Sequence, residues 1–81
     1  MARIEVFSSE GCAYCETAKM LLAEHGLAFQ EFNIAEDPAK LAEFRRRLPR
    51  TKSIPQIFVD GGHIGGLEDL QRYLSSPRVP S

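Results

Sequence analysis

The apolar positions of this chain change period several times, and each change marks an element. Arg3 to Ser8 is a β-prone run with Ile4 and Val6 on one face and Phe7 on the other. From Tyr14 to His25 the residues Ala18, Leu21 and Leu22 recur at helical spacing, Glu16 and Lys19 fall on the wet side, and Gly26 stands where a left-handed C-cap belongs. Ala28 to Asn33, with Phe29 and Phe32, is the second predicted strand. A strand–helix–strand unit crosses over right-handed, so these two strands should be parallel neighbours. Asp37-Pro38 is a helix start, an N-cap followed by proline in the first turn; Leu41, Phe44 and Leu48 carry that helix until Pro49 stops it.

The second half reads differently. Gln56 to Val59 is a short strand, Asp60-Gly61-Gly62 is a hairpin turn, His63-Ile64 begins the return strand, and Gly65-Gly66 ends it. Leu67, Leu70 and Leu74 define a last helix with Glu68 and Asp69 in its first turn. The order β-α-β-α-β-β-α predicts an α/β domain: one four-stranded mixed sheet flanked by three helices, placed on both faces. Residues 76–81, with Pro77 and Pro80, are expected as a frayed tail.

Length and charge narrow the picture. Residues 1–81 are enough for one domain with a small core. A net charge of −1 gives no electrostatic reason to expect nucleic acid or an acidic membrane as partner. No run approaches transmembrane length, and Met1-Ala2-Arg3 leads directly into the first strand without an apolar leader. The expectation is a cytoplasmic monomer, in a compartment where a close cysteine pair is more often catalytic than structural. Arg45-Arg46-Arg47 reads as a solvated helical face with Glu43 and Arg47 paired at i,i+4; the alternative is that one of these arginines meets an anionic ligand.

The chemistry concentrates at Gly11-Cys12-Ala13-Tyr14-Cys15, where strand-type sequence gives way to helix-type sequence. Cys12 should lie at the first turn of the helix, where unpaired N–H groups and the positive end of the macrodipole favour a thiolate. Such a thiolate is the nucleophile of thiol–disulfide exchange. Cys15, one turn on, can close a small disulfide ring with it. A structural disulfide over so short a loop would remove little unfolded-state entropy. A zinc site needs about four ligands, and beyond the cysteines only His25 and His63 are on offer; His25 lies roughly 20 Å along a continuous helix from Cys12.

Two further segments belong with the cysteines. Ser53-Ile54-Pro55 precedes the third strand. Its proline is either a boundary marker or part of a cis Ile54–Pro55 bond, which would turn the Ile54 backbone outward to pair with an extended peptide. Gly65-Gly66-Leu67-Glu68-Asp69 is either a turn with ordinary helix-start acids or a close-approach wall whose helix N-terminus takes a carboxylate.

Cys12-Ala13-Tyr14-Cys15, Ser53-Ile54-Pro55-Gln56-Ile57-Phe58-Val59-Asp60 and His63-Ile64-Gly65-Gly66-Leu67-Glu68-Asp69-Leu70 resemble the three signatures of bacterial dithiol glutaredoxins, in order and spacing, over Arg3 to Leu74. The resemblance implies a thioredoxin fold, a cis bond at Pro55, and reduction of protein–glutathione mixed disulfides and protein disulfides with glutathione as co-substrate and glutathione reductase as its indirect partner. Cys12 would match the nucleophile and Cys15 the resolving thiol. Tyr14, Ser53, Ile54, Pro55, Gly66, Leu67 and Glu68 would match glutathione contacts. Alternatives within reach of the same resemblance are a donor served by thioredoxin reductase and a carrier of a glutathione-ligated [2Fe–2S] cluster with Cys12 as ligand. The chain departs from the family pattern at Ala13, in place of proline, at Ser9, in place of a lysine, and conservatively at Ser53 and Ile54. With Ser9 neutral, Lys52 or a helix-two arginine is the expected substitute cation.

Overall fold

The computed structural model describes residues 2–75. Strand β1 (Ile4–Ser8) leads into helix α1 (Ala13–Glu24), which is followed by β2 (Gln30–Asn33), α2 (Pro38–Arg47), the hairpin β3 (Gln56–Val59) and β4 (Gly62–Gly65), and α3 (Leu67–Leu74). The sheet order is β2-β1-β3-β4; β1 and β2 are parallel, and the other two pairings are antiparallel. This is the expected fold. The predicted tail at 76–81 lies outside the described residues.

Punctuation sets each boundary. Asp37 caps α2 by accepting the Ala39 and Lys40 N–H groups, with Pro38 behind it in the first turn. Gly26, at φ +68, ends α1 as the left-handed residue while Leu27 N–H returns to Leu22 C=O at 2.9 Å. Asp60 and Gly61 both have positive φ, the requirement of a two-residue hairpin turn. The second strand begins at Gln30 rather than Ala28, because Glu5 opposite Gln30 is the first pair of the β1–β2 ladder. Phe29 packs into the core instead.

Alternation along the strands divides the core. Ile4, Val6 and Ile57 face α1 and α3, where Ala18, Leu22, Leu70 and Leu74 are buried against them. Phe7 and Phe58 face α2 and meet Phe44, with Phe7–Phe44 and Phe7–Phe58 centroids 5.4 and 5.8 Å apart. Each large apolar side chain so buried contributes roughly 1.5–3 kcal/mol.

Two polar ties cross these layers. Glu5, only 5 % exposed, sits on the α2 face and takes Arg47 at 3.2 Å. Arg47 also binds Glu43 at 2.7 Å and lies over the Phe58 ring, 4.8 Å from its centroid. Arg47 is therefore not on a solvated face; the helical turn that brings it to Glu43 also carries it over the sheet. Arg45 and Arg46 are exposed as expected.

On the other side, Lys19 of α1 bridges Glu16 at 2.6 Å and Glu31 of β2 at 2.8 Å, and the buried Ser8 hydroxyl donates to the same Glu31 oxygen at 2.7 Å. The Lys19 hydrogen bond, then that of Ser8, holds Glu31 below its ordinary value of 4.5. Hydrogen bonds to Glu16 and Glu31 hold Lys19 above 10.5.

Both ties are testable by equilibrium unfolding. Arg47→Met strands a buried carboxylate and should cost about 3 kcal/mol, whereas Arg45→Met and Arg46→Met should stay within about 0.5 kcal/mol. Adding Glu5→Gln to Arg47→Met should recover part of the loss. The Lys19–Glu31 contribution is present above pH 4.5, is lost as pH falls through the lowered Glu31 value, and is retained upward until Lys19 deprotonates above 10.5. Glu31→Gln should accordingly lower the midpoint at neutral pH and have little effect at about pH 3.

Candidate active site

Cys12 is the N-cap of α1. Its backbone is extended, at φ −100 and ψ 104, and its sulfur accepts the Cys15 N–H at 3.1 Å. A serine or aspartate cap would place an oxygen on that donor; here it is the sulfur that satisfies an otherwise orphan N–H. The same donor stabilises negative charge on Cys12 once the sulfur is reduced. Cys12 and Cys15 are joined as a disulfide, their Cα atoms 5.2 Å apart. Their surroundings differ: Cys12 is partly exposed, whereas Cys15 is fully buried at 0 %. An incoming thiol or disulfide can reach Cys12 alone.

The motif sits between two hollows. The larger, about 680 Å³, is lined by Tyr14, Ile54, Pro55, Gly66, Leu67 and Glu68 among others. Tyr14, which stands between the two cysteines in the chain, is 68 % exposed, an uncommon state for so large a ring, and lines the cavity. The Ile54–Pro55 bond is cis. The Ile54 backbone N–H and C=O have no hydrogen-bond partner among the described residues. Opposite them, Gly66 brings its Cα close to the Pro55 carbonyl; a Cβ there would lie 3.5 Å from that oxygen. Gly65, at φ +127, has Asp69 directly beneath the position a Cβ would take, so no other residue fits. Asp69 accepts the Gly66 N–H at 3.1 Å, which fixes the start of α3 against the cavity.

The smaller hollow, about 410 Å³, is where Cys12 itself is exposed, beside Ser9, Glu10, Gly11, Ala13 and Glu16. Glu10 lies within hydrogen-bonding reach of Glu36, and that neighbour raises the Glu36 carboxyl above its ordinary value. Ser9 brings no charge here, and Lys19 is committed to its two carboxylates.

Of the residues singled out from sequence, Tyr14, Ser53, Ile54, Pro55, Gly66, Leu67 and Glu68 come together on the larger cavity. Lys52 is exposed and does not line it. Sequence reasoning passed over Thr51, Gln56, His63 and Gln71, which do line it. For Gln56 a signal existed: it shares a strand face with Phe58, and a polar residue in that register must be buried and bonded. Among the described residues no group of three or more His, Cys, Asp or Glu side chains could hold a metal ion, and no helix is long and apolar enough to cross a membrane.

The glutaredoxin family model matches residues 4–64. Glutaredoxin 3 of Escherichia coli K12 is 47 % identical over 70 residues, covering 86 % of this chain and 83 % of that protein. The solution structure of a Brucella melitensis glutaredoxin superposes with a TM-score of 0.77 at 35 % identity, over 96 % of this chain and 84 % of the other. A buckwheat glutaredoxin solved as its glutathione complex superposes with a TM-score of 0.76 at 25 % identity, over 89 % and 67 %. A match of this extent, carried by a cysteine pair at the start of α1, places the chain in the glutaredoxin family as a thiol–disulfide oxidoreductase.

Proposed function

We propose that the chain reduces protein–glutathione mixed disulfides and protein disulfides with glutathione as co-substrate. The observation that carries this is the unequal pair: an accessible sulfur on a helix N-cap donor, and a buried one behind it. The glutathione complex of the buckwheat relative supports the choice of thiol.

In the reductive cycle, the Cys12 thiolate attacks the glutathione sulfur of a mixed disulfide. The Cys12–glutathione disulfide forms, the protein–glutathione bond breaks, and the protein thiolate leaves and takes a proton. A second glutathione thiolate then attacks the glutathione sulfur, releasing glutathione disulfide and restoring the Cys12 thiolate. In the dithiol route Cys15 attacks Cys12 instead, expelling the reduced partner and leaving the Cys12–Cys15 disulfide, which two glutathione molecules reduce.

Tyr14, Ser53, Ile54, Pro55, Gly66, Leu67 and Glu68 are the proposed contacts of glutathione. The unpaired Ile54 backbone offers a donor and an acceptor to the tripeptide, and the α3 N-terminus offers N–H groups to one of its carboxylates. Lys52, outside the cavity wall, would act only through its exposed charge, a weak and salt-sensitive effect. The proposed location is the cytoplasm and the proposed working state a monomer.

The experiment is to supply a protein–glutathione mixed disulfide and compare glutathione plus glutathione reductase with thioredoxin reductase as the source of electrons. Turnover with the first and not the second is the expected result; the reverse would assign the chain to the thioredoxin reductase system. Cys12→Ser should abolish turnover, whereas Cys15→Ser should retain much of it on the mixed disulfide and lose the dithiol reduction of protein disulfides. An active Cys12→Ser variant would reverse the assignment.

Ala13 is the first residue of α1, a position that accepts proline readily. Ala13→Pro should therefore fold and stay active. Proline removes an N–H that could stabilise the neighbouring thiolate, so the Cys12 pKa, followed by thiolate ultraviolet absorbance, should rise.

A further inference from the structure

Gln56 is only 5 % exposed, yet it is the residue that follows Pro55. Its amide nitrogen donates to the Ser53 carbonyl and to the Ser53 hydroxyl, both at 3.2 Å. Its amide oxygen meets His63 Nε2 at 2.7 Å. Because the nitrogen end must donate to a carbonyl, the end facing His63 can only accept, so Nε2 of His63 carries the proton and donates.

His63 is held in turn. The two-residue Asp60-Gly61 turn pairs Val59 with Gly62 and so sets His63 directly opposite Phe58; the ladder slips by one residue only beyond that pair, where Ile57 meets Gly65 and Ile64 is the extra residue of β4. The His63 ring lies on the Phe58 ring, centroids 5.1 Å apart, and Phe58 is packed from elsewhere by Phe7 and Arg47.

We propose that His63 is a positioning residue of this site, acting through Gln56 to hold the Ser53–Ile54 segment in register with the substrate. His63 fixes the amide rotamer of Gln56, and Gln56 clamps Ser53 through two hydrogen bonds. The Ile54 N–H and C=O are thereby presented at a fixed depth in the cavity. The proposal rests on the reading that the Ile54 edge docks the substrate. A buried amide that lost its acceptor contact would retain Ser53 but gain rotational freedom, so the consequence falls on binding rather than on the sulfur chemistry.

The test compares His63→Phe, which keeps a ring on Phe58 and loses the donor, with His63→Gln, which keeps a donor. Two substrates are used: the protein–glutathione mixed disulfide with glutathione, and a protein disulfide with dithiothreitol as reductant. In His63→Phe the KM should rise about fivefold, the effect of one ordinary hydrogen bond, with kcat and the pH profile of Cys12 alkylation unchanged. His63→Gln should restore the KM, and solvent exchange of the Gln56 side-chain amide should quicken in the Phe variant alone. An unchanged KM and amide exchange in His63→Phe overturn the proposal. So does a loss that follows the unfolding midpoint and is not rescued by His63→Gln. Wild-type protein that acts on the protein disulfide but not on the mixed disulfide refutes the glutathione reading, while the KM comparison on the protein disulfide still decides the role of His63.

Discussion

The hydrogen bond from Cys15 N–H to Cys12 sulfur is the interaction on which the site depends. It is a helix cap in which the capping atom is also the sulfur proposed to react. Its geometry requires a strand that ends at Ser8, a short extended turn, and a helix that begins at Ala13. The same turn decides exposure, since the residue one helical turn inside the cap is drawn under α1 and buried. The proposed activation of the nucleophile and the proposed division of labour between the sulfurs thus share one local structure.

The rest of the fold serves to hold that turn opposite a fixed peptide edge. Ile4 and Val6 bind β1 to α1 and α3, and Phe7 binds it to α2. Pairing of β1 with β3 then brings the Ser53–Pro55 segment to the same end of the sheet as the cysteines, because Phe7 stands opposite Gln56. Gly65 closes the far wall by letting β4 and α3 approach where a Cβ would collide with Asp69, and Gly66 lies against the Pro55 carbonyl. Arg47 draws its charge partners from β1 and α2 and covers the aromatic cluster, so the α2 face carries a half-buried ion pair within an otherwise apolar layer.

Much of this was legible in the sequence because it follows from local rules. The Asp37-Pro38 start, the Gly26 stop and the Asp60-Gly61 turn each encode a backbone conformation in one or two residues. The Pro55 and Gly65-Gly66 segments marked two sides of the larger cavity, and the Cys12–Cys15 spacing marked the helix start beside the smaller hollow. What could not be read was set by tertiary register. Arg47 looked solvated because its buried partner Glu5 lies 42 positions away. His63 looked like the opening of an ordinary strand; its contacts with Gln56 and Phe58 are made across the hairpin, between side chains on neighbouring strands. Lys52 stands out in the sequence by its charge, and charge alone does not say which side of a loop faces the cavity.

Competitive alkylation of the reduced protein at neutral pH, with the labelled sulfur located by mass spectrometry, tests directly whether the capped sulfur is the reactive one. Modification is expected at Cys12 well before Cys15, with the rate reaching its plateau at a lower pH than for an ordinary thiol. Preferential labelling of Cys15, or equal labelling of both with ordinary thiol reactivity, would contradict it.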